Sequence, residues 1–112
     1  LKDDRVLVTH IFNEIQFLRK ISKGRNYDDL LSDQYYSHAV IRAIEVIGEA
    51  SKNLSPQLKE KHPRIAWREI AGMRDTVIHR YFEINWQIVW SVLTDDLPVL
   101  ETEFSALLKE IG

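Results

Sequence analysis

The stretch 34–53 limits the fold more than any other part of the chain. Ala39, Val40, Ile41, Ala43, Ile44, Val46, Ile47 and Ala50 would cover most of a helical circumference. The polar residues between them, His38, Arg42, Glu45, Glu49 and Lys52, recur at alternating steps of four and three and so form one narrow stripe. A helix this apolar needs cover on several sides, and Gly48 would let another helix approach it closely. The stripe has two readings. It is the solvent edge of a central helix, since charged side chains are rarely buried unpaired, or it lines a groove or partner interface.

The rest of the chain also reads as helix. In residues 4–22, Leu7, Ile11, Ile15 and Leu18 mark one buried face, widened by Val8, Phe12 and Ile21. The Lys23-Gly24-Arg25-Asn26 segment breaks it, with Gly24 suited to a left-handed cap. A short helical turn is expected at Asn26–Leu31, and Asp33 is placed to cap the apolar helix. Ser55-Pro56 and His62-Pro63 bracket another short segment. A third helix is expected from about Ala66, carrying Trp67, Ile70, Met73, Val77 and Ile78. Asn85 can cap a fourth, with Val89, Trp90, Leu93 and Leu97 inward. Pro98 then interrupts a pattern that continues to Ile111, so the helix kinks there or a new one starts. No strand-period alternation is visible. The expected fold is all-α: an antiparallel four- to five-helix bundle in one domain, residues 1–112.

Bulk charge narrows function little. The net charge is −2. Residues 1–55 balance to zero, residues 56–82 sum to +3, and residues 83–112 sum to −5. The middle of the chain is thus its positive part, compatible with a local anion site rather than a broad basic surface. Without cysteine there is no thiolate metal site or disulfide. His10, His38 and His62 have no metal-ligand spacing, so neither a metal nor a cofactor is expected. No apolar run approaches the ~20 residues that span a bilayer, and the opening residues show no signal pattern. A cytoplasmic protein with no membrane partner is the expectation.

The chemistry concentrates in Gly72-Met73-Arg74-Asp75-Thr76-Val77-Ile78-His79-Arg80-Tyr81-Phe82. A histidine moves protons near neutrality, and an arginine fork matches phosphate oxygens. RNA cleavage through the 2′-hydroxyl needs little more than a base, an acid and a cation. The spacing adds a condition. Five residues on a regular helix separate Arg74 from His79 by about 140°, so the helix must end near residue 78 or a two-fold axis must supply the complement. His79 and Tyr81 project together only from extended chain.

Arg42-Ala43-Ile44-Glu45-Val46-Ile47-Gly48-Glu49-Ala50, Trp67-Arg68, Gly72-Met73-Arg74-Asp75, His79-x-Tyr81-Phe82 and a late Leu97-Pro98 together resemble the HepT-like branch of the HEPN proteins. The resemblance spans roughly residues 5–110. It implies a helical bundle that forms a homodimer, with two R-x4-H motifs sharing one cleft. It also implies a metal-independent ribonuclease acting as the toxin of a toxin–antitoxin pair. The antitoxin would be a minimal nucleotidyltransferase that adds AMP to the tyrosine of the motif. On this basis Arg74 would hold the scissile phosphate, His79 would be the acid–base, and Asp75 would be the supporting polar residue. Tyr81 would accept AMP. Asp75 places a negative charge beside the phosphate unless it pairs with Arg74 or Arg80.

Each residue has a plainer alternative. Arg74 could simply pair with Asp75, Glu45 or Glu49; His79 could close a helix; Tyr81 and Phe82 could be core aromatics. The three tryptophans fall on apolar faces and read as core rather than as base-stacking platforms. Arg42, Glu45 and Glu49 are weaker candidates for lining the cleft. Apart from the ribonuclease, the sequence admits a silent binding module that partners a nucleotidyltransferase, and a dimerisation domain without phosphate chemistry.

Overall fold

The computed structural model describes residues 2–79 and 83–111, and for Lys2, Ile78 and His79 the backbone alone. Three long helical runs carry the core: α1 (Lys2–Ser22), α3 (Gln34–Lys52), and α7 (Trp86–Ser91) running through a π-turn at Val92–Asp96 into α8 (Leu97–Ile111). Shorter helices join them: α2 (Tyr27–Ser32), α4 (Pro56–Lys61), α5 (Trp67–Ala71) and α6 (Met73–Val77). Two-residue strands β1 (Ile78–His79) and β2 (Glu83–Ile84) pair antiparallel, with Ile78 opposite Ile84 and His79 opposite Glu83. The fold is all-α in character.

The caps explain where the elements begin. Asn26 and Asp29 form a reciprocal capping box at α2, Asp33 accepts from the Tyr36 amide at α3, and Asn85 accepts from the Ile88 amide at α7. Each such cap is worth about 1 kcal/mol. Gly24 adopts the left-handed conformation after α1, at φ 76°. Asp4, near the start of α1, bonds the Ser55 amide (2.9 Å) and hydroxyl (2.5 Å) just beyond α3. At the other end Tyr36 donates to Ser22 Oγ at 2.8 Å. Those two ties, one at each end, set α1 and α3 antiparallel. Arg19 reaches Glu101 in the first turns of α8, so α8 is also antiparallel to α1.

Burial follows the helical periods. Val8, Ile11, Ile15 and Leu18 of α1 meet Val40, Ile44 and Ile47 of α3 and Leu97, Leu100, Phe104 and Leu107 of α8 in one core. The polar stripe of α3 is largely the solvent edge: His38, Arg42, Glu49 and Lys52 are exposed, and Glu45 is half-buried.

One expectation needs correction. The helix foreseen from Ala66 through Ile78 is two five-residue helices joined at Gly72, followed by a strand. A strand of two residues is too short to show alternation. Pro98 stands second in α8, so a new α-helix does begin with proline in its first turn, directly after the π-turn. The Leu97 amide bonds the Val92 carbonyl five residues back, and this wider turn relieves the clash of the Pro98 ring with the carbonyl of Thr94. Gly48 does admit a close neighbour, but that neighbour is α5 of the same chain. A Cβ at Gly48 would lie 3.3 Å from the Ala71 carbonyl oxygen. The close approach is made within the chain.

Asp4 yields a testable pH effect. Burial raises its pKa, but the two bonds from Ser55 together with nearby positive charge, Lys59 included, outweigh this and hold the carboxyl below the ordinary range. A lowered folded-state pKa contributes stability above the unfolded value of about 3.9, which is lost as pH falls through the folded value. Asp4→Asn is therefore expected to lower the unfolding free energy by about 1–3 kcal/mol at pH 7. The gap from wild type should narrow below about pH 3.5 in urea titrations. A gap that stays constant down to pH 2 would contradict this role.

Candidate active site

Arg74 lies in the first turn of α6, with Asp75 and Thr76 also exposed while Met73 and Val77 turn into the core. α6 is anchored against α3 and α7 by those two apolar side chains. The helix ends at Val77 because the next residues enter the strand pair, and the Asn85 amide donates to the Val77 carbonyl at 2.7 Å. That bond ties the base of segment 78–84 to the cap of α7. His79 thus sits on extended backbone two residues past the helix end, which meets the first of the two conditions set by the Arg74–His79 spacing. The His79 side chain, Arg80, Tyr81 and Phe82 lie outside the described residues.

The Arg74 guanidinium meets two carboxylates. Nε lies 3.4 Å from Glu45 Oε2, and Nη1 lies 3.4 Å from Asp75 Oδ1. Both contacts are long, and the groups are substantially exposed: 47 % for Arg74, 32 % for Glu45 and 70 % for Asp75. Ion pairs of this kind contribute little, typically 0–1 kcal/mol. They orient the fork without trapping it, and a doubly bonded phosphate oxygen pair can compete for the same donors. Asp75 pairs with Arg74, so its charge is partly spent where it stands.

The sequence therefore brings Arg74, Asp75 and Glu45 together. It does not bring Glu49, which pairs with Lys52 at 3.7 Å, and Arg42 makes no hydrogen bond or ion pair with the cluster among the described residues. Glu45 is the residue that the motif alone undervalues. Its signal is its place midway along the α3 stripe, at the level where α6 crosses. No group of three or more His, Cys, Asp or Glu side chains is arranged to hold a metal ion among the described residues. No described helix is long and apolar enough to cross a membrane.

Comparison with known proteins gives a consistent result. The family profile described as Ribonuclease HepT-like matches residues 11–107. A protein of Caldanaerobacter subterraneus named "Putative RNase" is 39 % identical over 110 residues, covering 98 % of each chain. A protein of Thermococcus cleftensis named "Probable ribonuclease HepT" is 40 % identical over 99 residues, 88 % of this chain and 90 % of its own. One from Methanocaldococcus jannaschii, also named "Putative RNase", is 32 % identical over 110 residues, 98 % of this chain and 95 % of its own. No solved structure matches at a significant level. A profile match over most of the chain and full-length relatives above 30 % identity establish the lineage: this chain belongs to the HepT-like ribonuclease family.

Proposed function

We propose that this chain is a metal-independent endoribonuclease, folded as one domain over residues 1–112 and active as a homodimer. The observation that carries the proposal is the end of α6 after Val77, which lifts the regular-helix separation between Arg74, which is exposed, and His79. The reaction is an internal transfer. A 2′-hydroxyl gives its proton to a histidine base as its oxygen bonds phosphorus, and the P–O5′ bond breaks as a second group protonates the leaving oxygen. His79 and the partner's His79 fill those two roles. Arg74 neutralises the crowded phosphorane oxygens, with Asp75 and Glu45 fixing its fork. The products are a 2′,3′-cyclic phosphate and a 5′-hydroxyl. The test is incubation of the protein with a mixed RNA pool in EDTA, with the new ends analysed for cyclic phosphate.

The same reading makes the chain the toxin of a cytoplasmic toxin–antitoxin pair, silenced by a minimal nucleotidyltransferase that adds AMP to Tyr81. A nucleotide there would add negative charge and bulk at the mouth of the proposed cleft, opposing an incoming phosphate. Tyr81→Phe is expected to remain growth-inhibitory when the partner enzyme is co-expressed. Silencing as complete as that of wild type would remove Tyr81 from the scheme. One observation favours a second reading, a silent module that only docks the nucleotidyltransferase: two carboxylates already surround Arg74. Absence of cleavage with intact partner binding would select it.

A further inference from the structure

A groove of about 660 Å³ opens between the end of α1 and the α7–α8 run, sharing no lining residue with the Arg74 cluster. Its rim carries Arg19, Lys20, Lys23 and Arg25 against one acid, Glu101, and Trp90 is the one aromatic side chain in its lining. Arg19 is 3.3 Å from Glu101. Arg25 is held by Asp33 at 2.9 Å and lies 4.7 Å above the Tyr36 ring. Among the described residues Lys20 and Lys23 have no ion-pair partner, and both are exposed. Ser22 and Thr94 add hydroxyls to the wall. The Trp90 indole is propped edge-on by Tyr27, ring centroids 6.2 Å apart.

We infer that this groove is a second RNA site, which holds the phosphate backbone of the single strand flanking the cleaved bond. The inference rests on the ribonuclease reading for its substrate and on the groove for its chemistry. Two unpaired lysines and two pre-positioned arginines can follow a run of phosphates, and an aromatic wall between them offers a base a stacking surface that is indifferent to sequence. The neutrality of residues 1–55 conceals it. None of the acids of residues 1–55 that balance these cations lines the groove, and Asp33 braces Arg25 from beside it.

The test is anisotropy of a fluorescein-labelled, fully 2′-O-methylated single-stranded oligoribonucleotide, titrated in EDTA over a range of NaCl concentrations. The 2′-O-methyl groups remove the nucleophile, so binding is read without cleavage. Lys20→Gln/Lys23→Gln is expected to raise Kd about tenfold or more near 0.1 M salt and to flatten the log Kd against log salt slope by about 1.4. Lys61→Gln/Lys109→Gln, exposed and outside the groove, should leave both unchanged. Thermal melts check that each variant is folded. Wild-type binding and slope in Lys20→Gln/Lys23→Gln would overturn the inference and leave the groove to an acidic protein partner; so would failure of wild type to bind the probe. The two readings fail separately. Loss of binding in this variant of a protein that cuts no RNA would keep the groove and sink the ribonuclease. Unchanged binding with cleavage intact would do the reverse.

Discussion

Phe104→Ala is expected to lower the unfolding free energy by about 3–5 kcal/mol, the largest stability loss of any single truncation considered. Phe104 is fully buried in α8, and its ring meets Trp67 edge-to-face at a centroid distance of 5.8 Å. Trp67 is the first residue of α5 and is tied down by its indole N–H, which donates to the His62 carbonyl at 2.9 Å. The truncation thus removes transfer free energy, leaves a cavity, and frees the tryptophan from which α5 and then α6 are hung. A domain of this size has roughly 5–15 kcal/mol in all, so the variant should be close to unfolding at 37 °C. Phe17→Ala, where 41 % of the residue is exposed, is the internal control and should change stability by about 0.5 kcal/mol or less. Urea midpoints for the two variants check the contrast. Similar midpoints would mean that the Phe104 ring does not fill the core as described.

The parts of this molecule legible in the sequence are those set by period and cap. The α1 face, the Asp33 cap, the Gly24 turn and the Pro56 start of α4 all rest on short-range rules, and the structure places them where those rules do. Elements of five residues or fewer escape such rules. Gly72 divides α5 from α6 with no proline to announce it, and β1 and β2 exist through pairing with each other rather than through any pattern of their own. The break at Pro98 was legible as a disjunction, a kink or a new helix, and the π-turn that leads into α8 was not among its terms. The candidate site was half legible. Arg74 and its pairing with Asp75 follow from neighbouring positions, whereas Glu45, 29 residues away in sequence, could be named only as an alternative to Glu49. The basic groove was not legible at all. Charge summed by segment cannot show that cations near residue 20 gather beside a tryptophan at residue 90.

His79→Ala is expected to reduce RNA cleavage by about 10²–10⁴-fold, the usual contribution of a positioned proton-transfer group. The expectation follows from the proposed chemistry rather than from stability: His79 lies beyond the end of α6, on a two-residue strand. Arg74→Ala should cost about 10²–10³-fold, comparable to removing one donor that stabilises transition-state charge. Arg74→Lys should fall between Ala and wild type, because it keeps the charge but loses the planar fork. The two alanine variants should part company on binding. Arg74→Ala weakens the hold on the scissile phosphate, whereas His79→Ala should retain wild-type affinity for the 2′-O-methylated oligonucleotide while cutting almost nothing. Each is compared with wild type in EDTA at equal dimer concentration, following single-turnover cleavage. Equal cleavage by wild type and His79→Ala would place the acid–base elsewhere. A loss in His79→Ala that tracks a fall in its melting temperature would make His79 structural. Full activity in Arg74→Ala would leave Asp75 and Glu45 framing a side chain with no part in the reaction.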